Sequence, residues 1–173
     1  PQFRELAPAV FVNTETDANF FGNPYLVNAA IKNYDLRGEY YFARDQFVTV
    51  GLFYKDLTNP IEEILVPAET LQTTFINSPA AELYGVELEY EQILPVQNWV
   101  DWNFMENRDL QIKTNYTWSD SEVDAQGDVA FNIGTNLNPV RGTVRGEGRI
   151  EDGRRMQGQS EHLFNLQVGL LND

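Results

Sequence analysis

Five stretches of the chain alternate apolar and polar positions at a period of two. The apolar sides carry Tyr34, Leu36, Tyr40 and Phe42; then Val48, Val50, Leu52 and Tyr54; then Tyr84, Val86, Leu88 and Tyr90. Leu110, Ile112, Tyr116 and Trp118 follow, and finally Phe164, Leu166, Val168 and Leu170. Opposite them stand Asp35, Arg37 and Glu39; Thr49 and Lys55; Glu87, Glu89 and Glu91; Gln111, Lys113 and Asn115; and Asn165 and Gln167. Period two is the side-chain period of a β-strand, so the pattern predicts strands near 32–42, 47–55, 83–92, 110–118 and 162–171. Helical periodicity is poor, and Gly, Pro, Asn and Asp interrupt the rest as turn and loop formers do. The fold class expected is all-β and antiparallel, with one wet face.

Two features decide which medium meets the apolar face. In the first and third stretches aromatics flank the aliphatics, as in Tyr34–Leu36–Tyr40 and Tyr84–Val86–Leu88–Tyr90, and the second and fourth end in Tyr54 and Trp118. Amphipathic rings at both ends of an aliphatic band suit strands that cross a bilayer, where the rings sit at headgroup level. The connections are also unequal: "ARDQ" is tight, 56–82 and 119–161 are long, and 1–31 precedes the first strand. Short turns on one side and long loops on the other are the habit of membrane barrels. A secreted β-sandwich that binds carbohydrate is the alternative, with the same stripes turned into a closed core.

Charge and composition narrow the function. With 26 Asp and Glu against 12 Lys and Arg the formal charge is −14, and such a surface repels nucleic acid. There is no cysteine, which excludes disulfides and thiolate metal sites. No apolar run approaches the roughly 20 residues of a membrane helix, a test to which a transmembrane strand is invisible. The sequence opens at Pro1 without a leader and stops within an alternating run, so a piece of a longer protein is expected.

The words along the chain point to a family. "PQFRELAP" is similar to an "RPxFxxLxP" segment, "FGNPYLVNAAIKNYDLRGEYYF" to "GNPxLxPxxSxNYDLxxEYYF", and "VTVGLFYKDLTNPI" to the strand after it. "NSPAAELYGVELEYEQIL", "LQIKTNYTWSDSEV" and "RRMQGQSEHLFNLQVG" follow in the matching order. Together they resemble the C-terminal half of the barrel of TonB-dependent outer-membrane receptors. Val27-Asn28, where the family often has Lys-Pro, and the lengthened "PVQNWVDWNFMENRD" turn depart from the pattern.

The resemblance implies a transmembrane β-barrel fragment, about five strands of a 22-stranded barrel. Residues 1–31, 56–82 and 119–161 would be external loops, and the plug and the energy-coupling box would lie outside 1–173. It implies an outer-membrane location in a Gram-negative bacterium, with lipid and lipopolysaccharide as surroundings. It also implies energy from the TonB complex through the missing N-terminal part, and uptake of a scarce small molecule of unknown identity. A plugless diffusion porin would share the wall but lack these words.

No catalytic residue, metal ligand or cofactor is expected. His162 is the only histidine, no Ser sits in a nucleophile elbow, and the spaced glycines of Arg141–Arg149 lack the context of a phosphate loop. Asp120, Glu122, Asp124 and Asp128 form an acidic loop whose spacing departs from an EF-hand, with Ala125 where Gly belongs. "NYT" at Asn115–Thr117 matches a glycosylation triplet but lies inside a strand. Candidate ligand contacts are Phe20, Phe21 and Tyr25, which offer stacking surfaces, and Arg141 and Arg145, which offer positive charge. Arg149, Arg154 and Arg155 share that loop reading, and Glu87, Glu89 and Glu91 form a ladder expected to pair with Arg37, Lys55 or Lys113. Gly22, Asn23 and Pro24 read as turn chemistry, Asn and Gly tolerating positive φ and Pro fixing its own, and Trp99 and Trp102 as interface anchors in a short-side turn.

Overall fold

The computed structural model describes residues 1–12, 19–66, 72–96, 99, 107–133 and 138–172. Trp102 lies outside them. The elements in chain order are α1 (Phe3–Leu6), β1 (Val10–Val12), β2 (Asn19–Phe21), β3 (Ala30–Ala43) and β4 (Gln46–Thr58). Then come β5 (Ile61–Val66), β6 (Gln72–Asn77), β7 (Ala80–Leu94), β8 (Arg108–Asp124), β9 (Asp128–Asn132), β10 (Arg141–Arg145) and β11 (His162–Asn172). The five alternating stretches form a single sheet in the order β11-β8-β7-β4-β3, so long strands successive in sequence are neighbours in space. β8 and β11 run antiparallel in unbroken register from His162 opposite Trp118 to Asn172 opposite Arg108.

The chain divides into two compact units. One holds Tyr34–Tyr54, Tyr84–Asp120 and Ser160–Asp173, the greater part of the long sheet. Its connection from β3 to β4 is the Arg44-Asp45 turn, with Asp45 at φ 55°. Its tightest point is Gly85. A Cβ there would lie 2.3 Å from the Trp118 carbonyl oxygen and 2.5 Å from the Phe53 ring. Glycine lets the Phe53 ring of β4 lie over β7 on the polar side of the sheet.

The other unit holds Pro1–Asn33, Lys55–Leu83 and Ser121–Gln159. It corrects the expectation of plain loops. The span 56–82 contains the β5–β6 hairpin, 119–161 contains the β9–β10 hairpin, and 1–31 contains α1, β1 and β2. The long strands also exceed their apolar stripes, β8 continuing to Asp124, because backbone pairing does not require an apolar face. β5 and β6 join β1 and β2 in a sheet of order β1-β2-β6-β5, in which β2 and β6 are parallel, an exception to the antiparallel rule. Leu26, Ile64, Phe75, Ile76, Val123, Val129, Phe131 and Ile150 are among the buried apolar side chains of this unit.

Carboxamides hold this unit together as much as that core does. Asn23 is fully buried and donates through Nδ2 to the carbonyls of Phe75 (3.0 Å) and Ala130 (3.1 Å), while its Oδ1 accepts from the Tyr25 N–H. Asn77 Nδ2 donates to the Val27 and Asn59 carbonyls, and its Oδ1 accepts the Val27 N–H. The turn falls at Pro24-Tyr25, and neither Gly22 nor Asn23 uses the positive φ that it would tolerate. Gly22 is required by close approach instead, since a Cβ would meet the Ala7 carbonyl oxygen at 2.4 Å and that of Arg4 at 2.8 Å.

Two substitutions probe the units separately. Asn23→Ala strips partners from two buried carbonyls, at about 1–3 kcal/mol each, and hydrogen exchange should accelerate in 22–27 and 129–131. Unchanged exchange in both segments would remove Asn23 from its bridging role. Gly85→Ala overpacks the sheet by about 1–3 kcal/mol and should lower the temperature at which the folded, fast-migrating gel form is lost. An unshifted transition would show that Phe53 and Trp118 yield freely.

Candidate functional site

The long sheet has two unlike faces. On one, Leu36, Leu166 and Val168 are 69%, 59% and 60% exposed, and Val50, Leu52 and Leu88 are exposed as well. A protein core leaves no such residues bare, and a contiguous apolar patch of this kind marks an interaction surface. Aromatics close the patch at both strand ends. Tyr34 packs against Tyr54, and Tyr84 against Trp118, at ring distances of 6.2 and 6.1 Å. Tyr40, Phe42 and Tyr90 cluster at the opposite strand ends. Six to eight residues of strand separate the groups, roughly 20–27 Å, close to the apolar band of about 25 Å on a membrane barrel.

The other face is an ionic ladder. Arg37 Nε donates to Glu39 at 2.6 Å, and its Nη2 lies 3.6 Å from Glu89 on β7. It reaches over β4, two strand spacings or about 10 Å, because Thr49 and Gly51 are the residues in its path. Lys113 on β8 lies 3.4 Å from Glu89 and 3.3 Å from Glu91, and Gln111 donates to Glu91 at 2.7 Å. Asn165 continues the ladder onto β11 through the Asn115 carboxamide at 2.7 Å. Of the expected partners, Arg37 and Lys113 are the cations seated in the ladder. Such half-exposed pairs contribute about 0–1 kcal/mol each, so the ladder makes the face polar more than it holds the sheet together.

The unit built from the connections takes up the predicted contact residues unevenly. Phe20 stacks on Phe11 at 5.2 Å and meets Phe75 edge-on at 6.4 Å, and the Phe21 carbonyl accepts from the Thr74 hydroxyl. Both are therefore tied into the β1-β2-β6-β5 sheet. Arg154 donates to the buried carboxylate of Glu62, which makes it structural. Arg149 lies over the Phe131 ring at 5.3 Å, and Arg145 is exposed on β10. Of the five candidates, Tyr25 and Arg141 share a cavity of about 280 Å³. Sequence reasoning missed the clips Asn23 and Asn77 that shape it; "FGNPYL" and "NSPAAEL" were their signal. Trp99 is exposed between β7 and β8.

A family model described as TonB dependent receptor-like, beta-barrel, matches residues 1–172. The chain belongs to that family. No curated protein and no solved structure gives a match. Proteins of the TonB-dependent receptor family are outer-membrane transporters of Gram-negative bacteria, which accounts for a sheet with one bare apolar face and one charged face. Membership also overturns the sandwich alternative, whose stripes required a cover.

In this receptor chain the expected acidic loop is instead strand for the most part, with Asp120, Glu122 and Asp124 on β8 and Asp128 opening β9, and Asp124 and Asp152 hold the bend between them. The Asp152 carboxylate accepts the Ala125 N–H at 2.9 Å and the Gln126 side chain at 3.2 Å, and the Asp124 carboxylate accepts the Gln126 N–H at 2.8 Å. The Ala125 N–H, then the Gln126 amide, hold Asp152 below the ordinary aspartate value of 3.8. A depressed carboxylate stabilises the fold above its unfolded pKa, and that contribution is lost as pH falls through the folded value. At pH 7, Asp152→Asn should therefore hasten proteolysis of the 150–155 loop relative to the parent. The difference should shrink as pH falls below 3.8 and disappear once pH lies below the lower folded value. Equal proteolysis at both pH values would show that the charge on Asp152 does not order the loop.

Proposed function

We propose that the chain is part of the barrel wall and external loops of a receptor that takes up a scarce ligand across the outer membrane. Siderophores, other metal chelates, vitamins and oligosaccharides are the ligand classes considered. Energy reaches it from the TonB complex, and no bond is made or broken. The observation that carries this reading is the pairing, on one sheet, of an aromatic-bounded apolar face with an ionic ladder. Lipid suits the first face, and a hydrated passage suits the second, where opposed charges side by side offer contacts without holding any one ligand tightly.

Closure of the barrel needs more strands than the five seen, since about eight is the smallest number that closes. Connections 1–31, 56–82 and 119–161 serve as the external side, the short turns as the periplasmic one. Lipopolysaccharide borders the former.

The test places a spin-labelled cysteine at Leu36, Val50, Val86 or Ile112, and at Arg37 or Glu87, in the full-length receptor in outer-membrane vesicles. Apolar oxygen should quench the first four labels, and a polar nickel reagent the last two. Protection of the first four from both reagents would mean a packed core and end the barrel reading.

A further inference from the structure

The cavity that brings Tyr25 and Arg141 together has the features of a binding site for a small organic anion. Its walls come from three places. Tyr25 and Val27 enter from the segment before β3, Pro79 from the bend before β7, and Asp128, Ala130 and Arg141 from the β9–β10 hairpin. These walls are fixed. Asn23 ties the Tyr25 N–H to the β6 and β9 carbonyls, Asn77 clamps Val27 through both its N–H and its carbonyl, and the Asn59 N–H donates to the Pro79 carbonyl at 3.2 Å. A site whose backbone is set beforehand loses little ordering entropy on binding.

The charges decide what it accepts. Among the described residues the Arg141 guanidinium has neither an ion pair nor a hydrogen bond, an unusual state in a chain of formal charge −14. Asp128 also borders the cavity; its register partner across the hairpin is Arg145, whereas that of Arg141 is the neutral Asn132. The cavity thus carries one cation and one anion, and its Arg141 end is the part that can meet an anionic group. The phenol of Tyr25 likewise has no partner among the described residues, and Val27, Pro79 and Ala130 supply apolar wall.

We propose that this cavity binds an aryl carboxylate, with the carboxylate on the Arg141 guanidinium and the ring against Tyr25. A guanidinium meets a carboxylate through two parallel N–H donors, and a tyrosine ring packs well on another flat ring. The assignment rests on the uptake reading only in making the bound compound cargo.

The experiment is saturation-transfer NMR on the full-length receptor in detergent micelles. The probes are 4-hydroxybenzoate and its neutral isostere 4-hydroxybenzamide. The carboxylate should bind about tenfold more tightly than the amide, a difference of about 1.4 kcal/mol. Arg141→Gln should reduce the carboxylate to the amide's level, and Arg141→Lys, which keeps the charge but loses the fork, should fall between. Tyr25→Ala should weaken both probes, and Arg145→Gln should weaken neither.

Equal binding of the two probes, or no transfer from the carboxylate at about 10 mM, overturns the proposal. So does an Arg145→Gln variant as defective as Arg141→Gln, which would reduce the effect to general surface charge. Spin-label accessibility on the same receptor separates the two readings. Lost discrimination with oxygen access intact rejects the cavity alone; lost oxygen access with discrimination retained rejects the barrel alone.

Discussion

The structure follows from one constraint: in hydrocarbon, every backbone N–H and C=O must find its partner inside the protein. A sheet meets it only by pairing each strand along its length, and the unbroken register from His162–Trp118 to Asn172–Arg108 is such a pairing. Once the backbone is satisfied laterally, the side chains are left to choose the medium, and period two sorts them onto two faces. Leu36, Val50 and Leu166 can then stand exposed without fault, because the face they occupy belongs to a solvent other than water. The price of that arrangement is carried on the opposite face, where charges must be paired in place, as Arg37 and Lys113 are with Glu89.

The second unit obeys a different rule. Its backbone turns too often for ladders to satisfy it, and side-chain amides take over. Asn23 alone serves carbonyls on β6 and β9 and an N–H of its own turn. Asn77 does the same between the segment before β3 and the end of β4. An amide offers donors and acceptor at once, which no ionised side chain does, and it can be buried without a counter-charge. That is a physical reason for the Asn residues in "FGNPYL" and "NSPAAEL". Glu62 follows the ionic alternative and needs Arg154 beside it, because a buried carboxylate left alone is far more costly than a buried amide.

This difference explains what was legible in the sequence. Strands such as β3 and β7 announce themselves because each residue reports the face it occupies, and the aromatic ends at Tyr34, Tyr84 and Tyr90 report where the band stops. The hairpins β5–β6 and β9–β10 do not. Their stabilising partners lie 50 to 107 residues away, as with Asn77–Val27 and Asn23–Ala130, and no local period encodes them. Phe20 shows the same limit. Its surroundings could not be judged without Phe11 and Phe75, whose rings tie this half-buried stacking candidate into the β1-β2-β6-β5 sheet. Gly22 was read as conformational freedom when it is a question of space, since only the positions of the Arg4 and Ala7 carbonyls reveal the conflict.

On the proposed reading, the two units divide selectivity from passage. A wall of alternating charges treats many polar solutes alike, since Glu39, Glu89 and Glu91 on it already have a cation close by. Discrimination needs the reverse, a group whose partner is withheld until a ligand supplies it. Arg154 fails that condition because Glu62 already holds it, and Arg149 is engaged by the Phe131 ring. Arg141 meets it. Its strand partner is a neutral Asn132, and the clips that fix Tyr25 nearby involve neither the guanidinium nor the phenol. The same carboxamides that support the core of this unit therefore leave the Tyr25–Arg141 cavity set in its backbone and chemically unspent.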